Sequence, residues 1–396
     1  MAGKNTQTNQ PLTGILKEIQ IFQYLCDVKR ILPLLIFCLA NVFVIQGQDR
    51  VLHSVYLIGD AGNDTLPSDA LQLLAFDSFN DTASSVIFLG DNCYPQGLNP
   101  NQSPRKMAVA KRKLTAQYEL LVAYRGNVSI IPGNHDWSNG KRSGKKAILQ
   151  QAELADSWFK VNSIVRNRQS GVFATSPGLP GPNQIQLSEQ LDLIALDSQW
   201  WLQSGFFNPV GKFPGMSRKQ TRKAALTQLD SILAESSRKG HVSIVAAHHP
   251  LFSNGKHVHV NEPMRSLVNY TPFQLFGILG LNRYFSQDLP QPRYRRYRKS
   301  MVEILRKYNQ VIYVSGHEHA MEFFDINNVR CVVSGSGSKR TELNRYRYQA
   351  RFMEDNQHGF FRISIHESGK VVLHAVGVKD RGEYWKTDIF TIPASN

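Results

Sequence analysis

From residue 51 onward, short apolar runs alternate with longer stretches of helical spacing. VLHSVYLI (51–58), SSVIFLG (84–90), NVSIIPG (127–133), HVSIVAAHHP (241–250) and QVIYVSGHEH (310–319) read as buried strands. Each is bounded by turn residues and too short for a helix. QIQLSEQLDLIALDS (184–198) suggests a β pair. Between these runs, helices are predicted from Pro67 through LQLLAFDSF, over 105–124, over 144–161 and over 216–240, the last stopped by Gly240. The tail, from NVRCVVSGSG through GFFRISIHE and KVVLHAVGV, alternates like antiparallel strands. The pattern is an α/β fold with a β-rich C-terminal part, without internal repeats or low-complexity runs.

Ahead of this pattern, residues 1–50 form an N-terminal leader. Polar to mixed sequence ends at Lys29-Arg30 and gives way to ILPLLIFCLANVFVI, residues 31–45. That run is short of the roughly 20 residues of a membrane span and suits the core of a secretory signal. Export is therefore expected, to a periplasmic, extracellular or membrane-anchored location, with the leader as signal peptide or tether. Residues 51–396 are expected to form the single large domain, with an insertion around 260–297.

Two bulk properties narrow the chemistry. Lys plus Arg number 46 against 31 Asp plus Glu, which suits anionic partners. No zinc-finger or RNP-type signature accompanies the charge, so no specific nucleic acid is expected. Of four cysteines, Cys26 and Cys38 lie in the leader; Cys93 and Cys331 remain, too few for a disulfide scaffold. Of five Asn-x-Ser/Thr sequons, the one at Asn63 lies three residues after Asp60, where a glycan would obstruct access.

Chemistry concentrates where the strands end. GDAGN (59–63), GDNCY (90–94), GNHD (133–136), AHHP (247–250) and GHEH (316–319) each follow an apolar run. One Gly-Asp pair alone is ordinary turn chemistry, and a lone histidine is usually structural. Yet seven of the 12 histidines fall in these clusters or within a dozen residues after one, which scatter would not produce. In open α/β sheets the ligand crevice lies beyond the carboxyl ends of the strands. Carboxylate, amide oxygen, imidazole and phenol make a mixed oxygen and nitrogen shell, suited to Fe, Mn or Zn rather than to a cysteine-rich structural zinc. Two cations bridged by one carboxylate are a known arrangement for phosphoryl displacement.

The ordered motifs Asp-x-Gly, Gly-Asp-Asn-x-Tyr, Gly-Asn-His-Asp, His-His-Pro and Gly-His-x-His resemble the calcineurin-like metallophosphoesterase superfamily. The tyrosine three residues after Asp91 is similar to the mark of purple acid phosphatases, with their small, tartrate-resistant branch the nearest pattern. The resemblance covers about residues 51–396 and includes LIALDS, VVSGSG and the closing GFFRISIHESGKVVLHAVGVKDRGEYWKT. It implies an α/β/β/α sandwich with a strand-end dinuclear metal site. It places Asp60, Asp91, Tyr94 and His319 on a ferric ion, and Asp91, Asn134, His248 and His317 on a divalent one (Fe, Zn or Mn), with Asp91 bridging. It makes His135 a phosphate neighbour and His257, nine residues beyond His248, the candidate proton donor to the leaving group. Such a centre carries about one net positive charge, enough to attract a phosphate dianion. The implied activity is acid phosphatase: in-line attack on phosphorus by a metal-bridged hydroxide.

Alternatives on the same residues are a phosphodiesterase or phospholipase, and a surface binding protein with a vestigial metal site. The expected substrate is a phosphorylated small molecule or protein. Cys93 stands where the small branch has an aromatic residue, as packing or as an oxidisable thiol. His249 is expected to pack or support a ligand, and His259 to touch substrate or merely occupy the loop. In the insertion, FQLFGILGL could line the active-site rim or touch a membrane. After it, Tyr294, Tyr297, Met301, Ile304, Leu305 and Tyr308 fall at helical spacing, which leaves the interleaved Arg and Lys on the solvated face.

Overall fold

The computed structural model describes residues 49–203, 213–256, 291–344, 347–379 and 383–394. Residues 1–48 of the leader, His257, His259 and residues 260–290 of the expected insertion lie outside them. Residues 51–396 make up the compact unit considered below.

The elements follow the hydrophobic pattern closely. In order they are β1 (Val51–Ile58), α1 (Asp69–Ser78), β2 (Ser84–Phe88), α2 (Pro104–Glu119), β3 (Asn127–Ile130), α3 (Gly144–Asn162), β4 (Asn183–Ser188) and β5 (Leu191–Ala195). There follow α4 (Ser198–Leu202), α5 (Arg218–Arg238), β6 (Val242–Ala246), α6 (Pro292–Leu305) and β7 (Val311–Ser315). The chain continues with β8 (Met321–Ile326), β9 (Val329–Ser334), β10 (Phe352–Glu354), β11 (His358–His366), β12 (Val371–Val378) and β13 (Tyr384–Ile392). Helix α1 starts two residues later than Pro67 predicts, because Ser68 takes the N-cap and its side chain accepts from Leu71 N. Pro104, by contrast, does occupy the first turn of α2.

Two sheets result. One has the order β13-β12-β11-β1-β2-β3, with β1, β2 and β3 parallel and the remaining pairs antiparallel. The other has the order β10-β8-β9-β7-β6-β5-β4, with β5, β6, β7 and β9 parallel. The tail is therefore split. β11 and β12 pair antiparallel as expected, whereas β9 joins the other sheet, antiparallel to β8 but parallel to β7. The alternation marks β9 as a strand but leaves its neighbours open, since period-two patterning fixes faces and not partners.

Side-chain alternation assembles three apolar layers. Val55, Leu57, Ile87, Leu193, Ile244, Val314, Phe361 and Ile363 fill the space between the sheets. Tyr56, Ile58, Val86 and Phe88 point the other way, onto Leu71 and Leu74 of α1, Leu114 of α2 and Phe159 of α3. On the far side, Val245 and Tyr313 meet Leu229 and Leu233 of α5 and Tyr297 and Met301 of α6. The architecture is an α/β/β/α sandwich. Helix α6 buries Tyr294, Tyr297, Met301, Ile304 and Leu305, and Arg295, Arg296 and Lys299 are exposed, which is the face division its spacing predicted. Cys93 and Cys331 are free, buried thiols in opposite outer layers. No helix among the described residues is long and apolar enough to cross a membrane.

The residues between the two sheets are almost wholly withdrawn from solvent. Leu193→Ala, at a fully buried position between the sheets, should cost about 2–5 kcal/mol in chemical denaturation. An effect below about 1 kcal/mol would show that the sheets do not close on each other there.

Candidate metal centre

The parallel strands β1, β2 and β3 of one sheet and β6 and β7 of the other deliver their carboxyl ends to one edge of the sandwich. All seven expected ligand residues meet there. Asp60 follows β1, Asp91 and Tyr94 follow β2, and Asn134 follows β3; His248 follows β6, and His317 and His319 follow β7. Tyr94 Oη donates to Asp60 Oδ1 at 2.7 Å and lies 3.2 Å from His319 Nε2, which is 3.7 Å from Asp60 Oδ1. Asn134 Oδ1 sits 3.0 Å from both His248 Nε2 and His317 Nδ1. His248 Nε2 is 3.4 Å from Asp91 Oδ1, and donor atoms of Asp60, Asp91 and His248 all fall within 4.8 Å of one another.

Two of the histidines are fixed by one ring nitrogen and turn the other inward. His248 Nδ1 donates to Leu89 O at 2.8 Å, leaving Nε2 for the centre. His319 Nδ1 lies 3.3 Å from Thr341 Oγ1, leaving Nε2 toward Tyr94. Anchoring one nitrogen in this way is typical of imidazoles that bind metals. His135 is likewise held, its Nδ1 donating to Pro95 O at 2.7 Å, with Nε2 3.8 Å from Asp91 Oδ2.

The backbone is bent to achieve this. Asp60, Asp91 and His317 adopt φ of 58°, 53° and 72°, a left-handed conformation that side chains rarely take. Each such residue stores strain of order 1–3 kcal/mol, held by surrounding structure. The holding contacts are visible: His317 N donates to Asp60 Oδ2 and His135 N to Asp91 Oδ1, both at 2.8 Å. A Cβ on Gly133 would overlap Asp91 Oδ1, and one on Gly316 would crowd Asp60 Oδ2. Glycine is required at these two positions by close approach.

Other residues support the centre, and two of them, Asp136 and Asp197, escaped the sequence reading. Asp136, fully buried, accepts from Asn92 N, Asn92 Nδ2, Cys93 N and Gly133 N at 2.8–3.1 Å, and so ties the GDNCY and GNHD loops together. It is the last residue of GNHD, and its spacing carried no sign of this clamp. Asp197, from LIALDS, caps α4 through Trp200 N and accepts from Trp137 Nε1 at 2.8 Å. His249 is buried with Nδ1 against Ser198 Oγ at 2.8 Å, and its carbonyl accepts from Tyr313 Oη at 2.7 Å. Its ring packs on the ligand imidazoles, 4.4 Å from that of His317 and 5.1 Å from that of His248 between centroids, the supporting place expected of it. Tyr294 Oη, on α6, donates to Pro250 O at 2.6 Å and anchors the loop of His248 and His249. The Cys93 thiol packs against Ala110 O, and burial pushes it up to about 12, so it is inert.

The electrostatics call for a cation. Burial, with Asp91's charge adding to it, pushes Asp60 up to about 7 despite the opposing pull of His248. Burial likewise opposes ionisation of Asp91, yet His248 and His135 hold it below the usual carboxylate range. Burial works against the His248 imidazolium too, but Asp91 and Asp60 push it up to about 9. Tyr94 is raised well above its ordinary value by burial and both carboxylates. A proton on His248 thus stands where positive charge is needed. Two buried carboxylates, an amide oxygen, three imidazoles and a phenol match the donor set of hard or borderline cations. The residues fit a metal centre: Asp60, Tyr94 and His319 on one side, Asn134, His248 and His317 on the other, and Asp91 near both.

Comparison with known proteins identifies the family. A family model described as calcineurin-like phosphoesterase matches residues 53–321. A curated relative, "Purple acid phosphatase 3" of Arabidopsis thaliana, is 24% identical over 302 residues, covering 74% of this chain and 65% of the relative's length. The chain therefore spans less than two thirds of that relative. The solved "Structure of PhoD" aligns at 13% identity and a TM-score of 0.51 over 86% of this chain and 69% of that one, a likeness of fold alone. "GAP50 the anchor in the inner membrane complex of Plasmodium" aligns at 16% identity and a TM-score of 0.48, over 86% of this chain and 90% of that one.

Two outcomes follow from this geometry. Asp136→Asn presents an amide N–H to a cluster of N–H donors; it should cost roughly 1–3 kcal/mol and weaken metal binding about 10–100-fold, read by denaturation and metal titration. Unchanged values would mean that the loops are held otherwise. Asp60 is raised from 3.8 to about 7 and His248 from 6.5 to about 9, so each stabilises the metal-free fold below its ordinary value and loses that contribution as pH rises through the raised one. The melting temperature of metal-free protein should accordingly fall between about pH 4 and pH 9, and metal loading should flatten that slope. Parallel slopes for the two forms would contradict the assignment.

Proposed function

The chain belongs to the calcineurin-like phosphoesterase family, and from that membership we propose that it is an acid phosphomonoesterase of the purple acid phosphatase type. The observation that carries the proposal is the meeting of a buried phenol, Tyr94, with Asp60 and His319 beside the Asn134, His248 and His317 group. A metal-dependent hydrolase of phosphoester bonds is the general reading; the tyrosine makes it specific. The proposed centre pairs a ferric ion held by Asp60, Asp91, Tyr94 and His319 with a divalent ion held by Asp91, Asn134, His248 and His317. When bound, such a pair of cations supplies Lewis acidity and lowers the pKa of bound water.

The protein's own residues do the rest. Asp91, 2% exposed, is fixed by the His135 backbone and cannot swing away as charge develops. His135 is turned by its Nδ1–H to Pro95 O, so Nε2 is the nitrogen presented to substrate, beside Asp91 Oδ2. A protonated Nε2 can donate to a phosphoryl or leaving-group oxygen, a step typically contributing 10²–10⁴-fold. His257, which we assign to leaving-group protonation, lies outside the described residues. Its loop starts from a fixed base: Ser253 Oγ and Asn254 N donate to the buried Glu322 carboxyl at 2.6 and 2.8 Å. Asn254 also exchanges two hydrogen bonds with the Tyr348 backbone, as a paired strand would. We propose a phosphorylated small molecule or protein as substrate.

The test is made on protein loaded with iron and zinc. A broad visible charge-transfer band should be present and should vanish in Tyr94→Phe, while p-nitrophenyl phosphate is hydrolysed in preference to its bis-ester and chelation abolishes turnover. A colourless protein with oxidised iron bound would refute the tyrosinate. Faster turnover of the bis-ester would instead favour the phosphodiesterase reading.

A further inference from the structure

The loop after β9 runs backbone to backbone with the loop that carries Asp60. Gly59 N donates to Ser334 O at 2.7 Å, and Gly337 N donates back to Gly59 O at 3.2 Å. A Cβ on Gly337 would overlap Gly59 O, so a side chain there would part the two strands of chain. Ser338 Oγ donates to Asp60 O and accepts from Asn63 N at 3.3 Å. Lys339 comes next, its backbone thereby set against the centre.

Its side chain is half-buried, and Nζ lies 3.3 Å from the centroid of the Tyr94 ring. Among the described residues, its three N–H donors meet no carboxylate, carbonyl or hydroxyl within hydrogen-bond distance. The charges it faces are Asp60 and Asp91 on the attractive side, Lys256 and Lys113 on the repulsive side. Lys113, in contrast, is committed: its Nζ donates to Tyr94 O at 3.2 Å. A cation over a tyrosine face is favourable by about 0.5–2 kcal/mol. That ring takes up one face of the ammonium and leaves its hydrogens to be satisfied by something else.

We propose that Lys339 is a substrate-binding residue whose ammonium receives an oxygen of the phosphoryl group, so that the site favours doubly charged phosphomonoesters over singly charged diesters. The inference rests on the phosphoesterase reading and gives that site its charge selectivity. Lysine suits the task as a compact point charge, responsive to the net charge of the anion rather than to planar fork geometry. Its place on the Tyr94 ring fixes where that charge sits before substrate arrives.

Inorganic phosphate is the probe, titrated calorimetrically into metal-loaded wild type, Lys339→Met, Lys339→Arg and, as a control for general charge, Lys106→Met on the exposed face of α2. Metal content is measured in each. Loss of a charged hydrogen bond predicts a phosphate Kd about tenfold or more weaker in Lys339→Met, with Lys339→Arg and Lys106→Met within about threefold of wild type. KM for p-nitrophenyl phosphate should rise by a similar factor with kcat little changed, and the bis-ester should be insensitive. If Lys339→Met folds poorly, Lys339→Gln carries the same comparison. Phosphate affinity unchanged in the neutral variant overturns the inference. Because binding is read without turnover, a wild type that holds phosphate through Lys339 but hydrolyses nothing removes the hydrolase reading and leaves this one standing.

Discussion

Two carboxylates, Asp60 and Asp91, are buried side by side, 0% and 2% exposed, and the rest of the structure answers to that fact. Like charges withdrawn from water repel strongly, and desolvation adds its own penalty. Among the described residues, no Arg or Lys salt bridge neutralises them. The protein supplies instead imidazoles, an amide oxygen and a phenol, which are donors to a cation. In the metal-free chain His248 takes on a proton and Asp60 tends to keep one, partial substitutes for the missing positive charge. Both groups must shed those protons to act as ligands, so metal binding and protonation compete for the same atoms.

The sandwich exists, from the site's point of view, to bring five strand ends to one edge. Three come from one sheet and two from the other, so the centre depends on the inter-sheet layer of Leu57, Leu193, Ile244 and Phe361 for its registration. Strain at Asp60, Asp91 and His317 is tolerated because rigid strands precede each of them and hydrogen bonds lock each turn. The surrounding shell distributes the load: Asp136 joins two loops, Asp197 and Trp137 join a third, and tyrosines from β7 and α6 hold the His248 loop. A site assembled from separated segments needs such cross-ties, since first contacts alone do not fix geometry.

Much of this was legible in the sequence. Period-two and buried runs announce the strands, and Gly-Asp, Gly-Asn-His and His-x-His clusters at their ends announce the ligands. What was not legible depends on three dimensions. Nothing in GNHD distinguishes Asp136, a clamp that accepts from four N–H groups, from a terminal turn residue. The pairing of β9 with β7 rather than with the tail strands is a matter of neighbours, on which alternation is silent. Pro67 reads as a first helical residue, but Ser68 offers a better cap and wins. Lys339 follows a Gly-Ser stretch that reads only as a loop, and its place over Tyr94 emerges from backbone contacts between segments almost 280 residues apart. His257 and the apolar segment FQLFGILGL remain readings of the sequence alone.

The central claim is that these side chains hold two cations with Asp91 between them. Anomalous-difference density from crystals of metal-loaded protein, recorded at the iron edge and at the edge of the divalent metal, tests it most directly. The account predicts two peaks flanking the Asp91 carboxylate, the iron peak beside Tyr94 and the other beside Asn134. A single peak, or peaks away from Asp91, would contradict it.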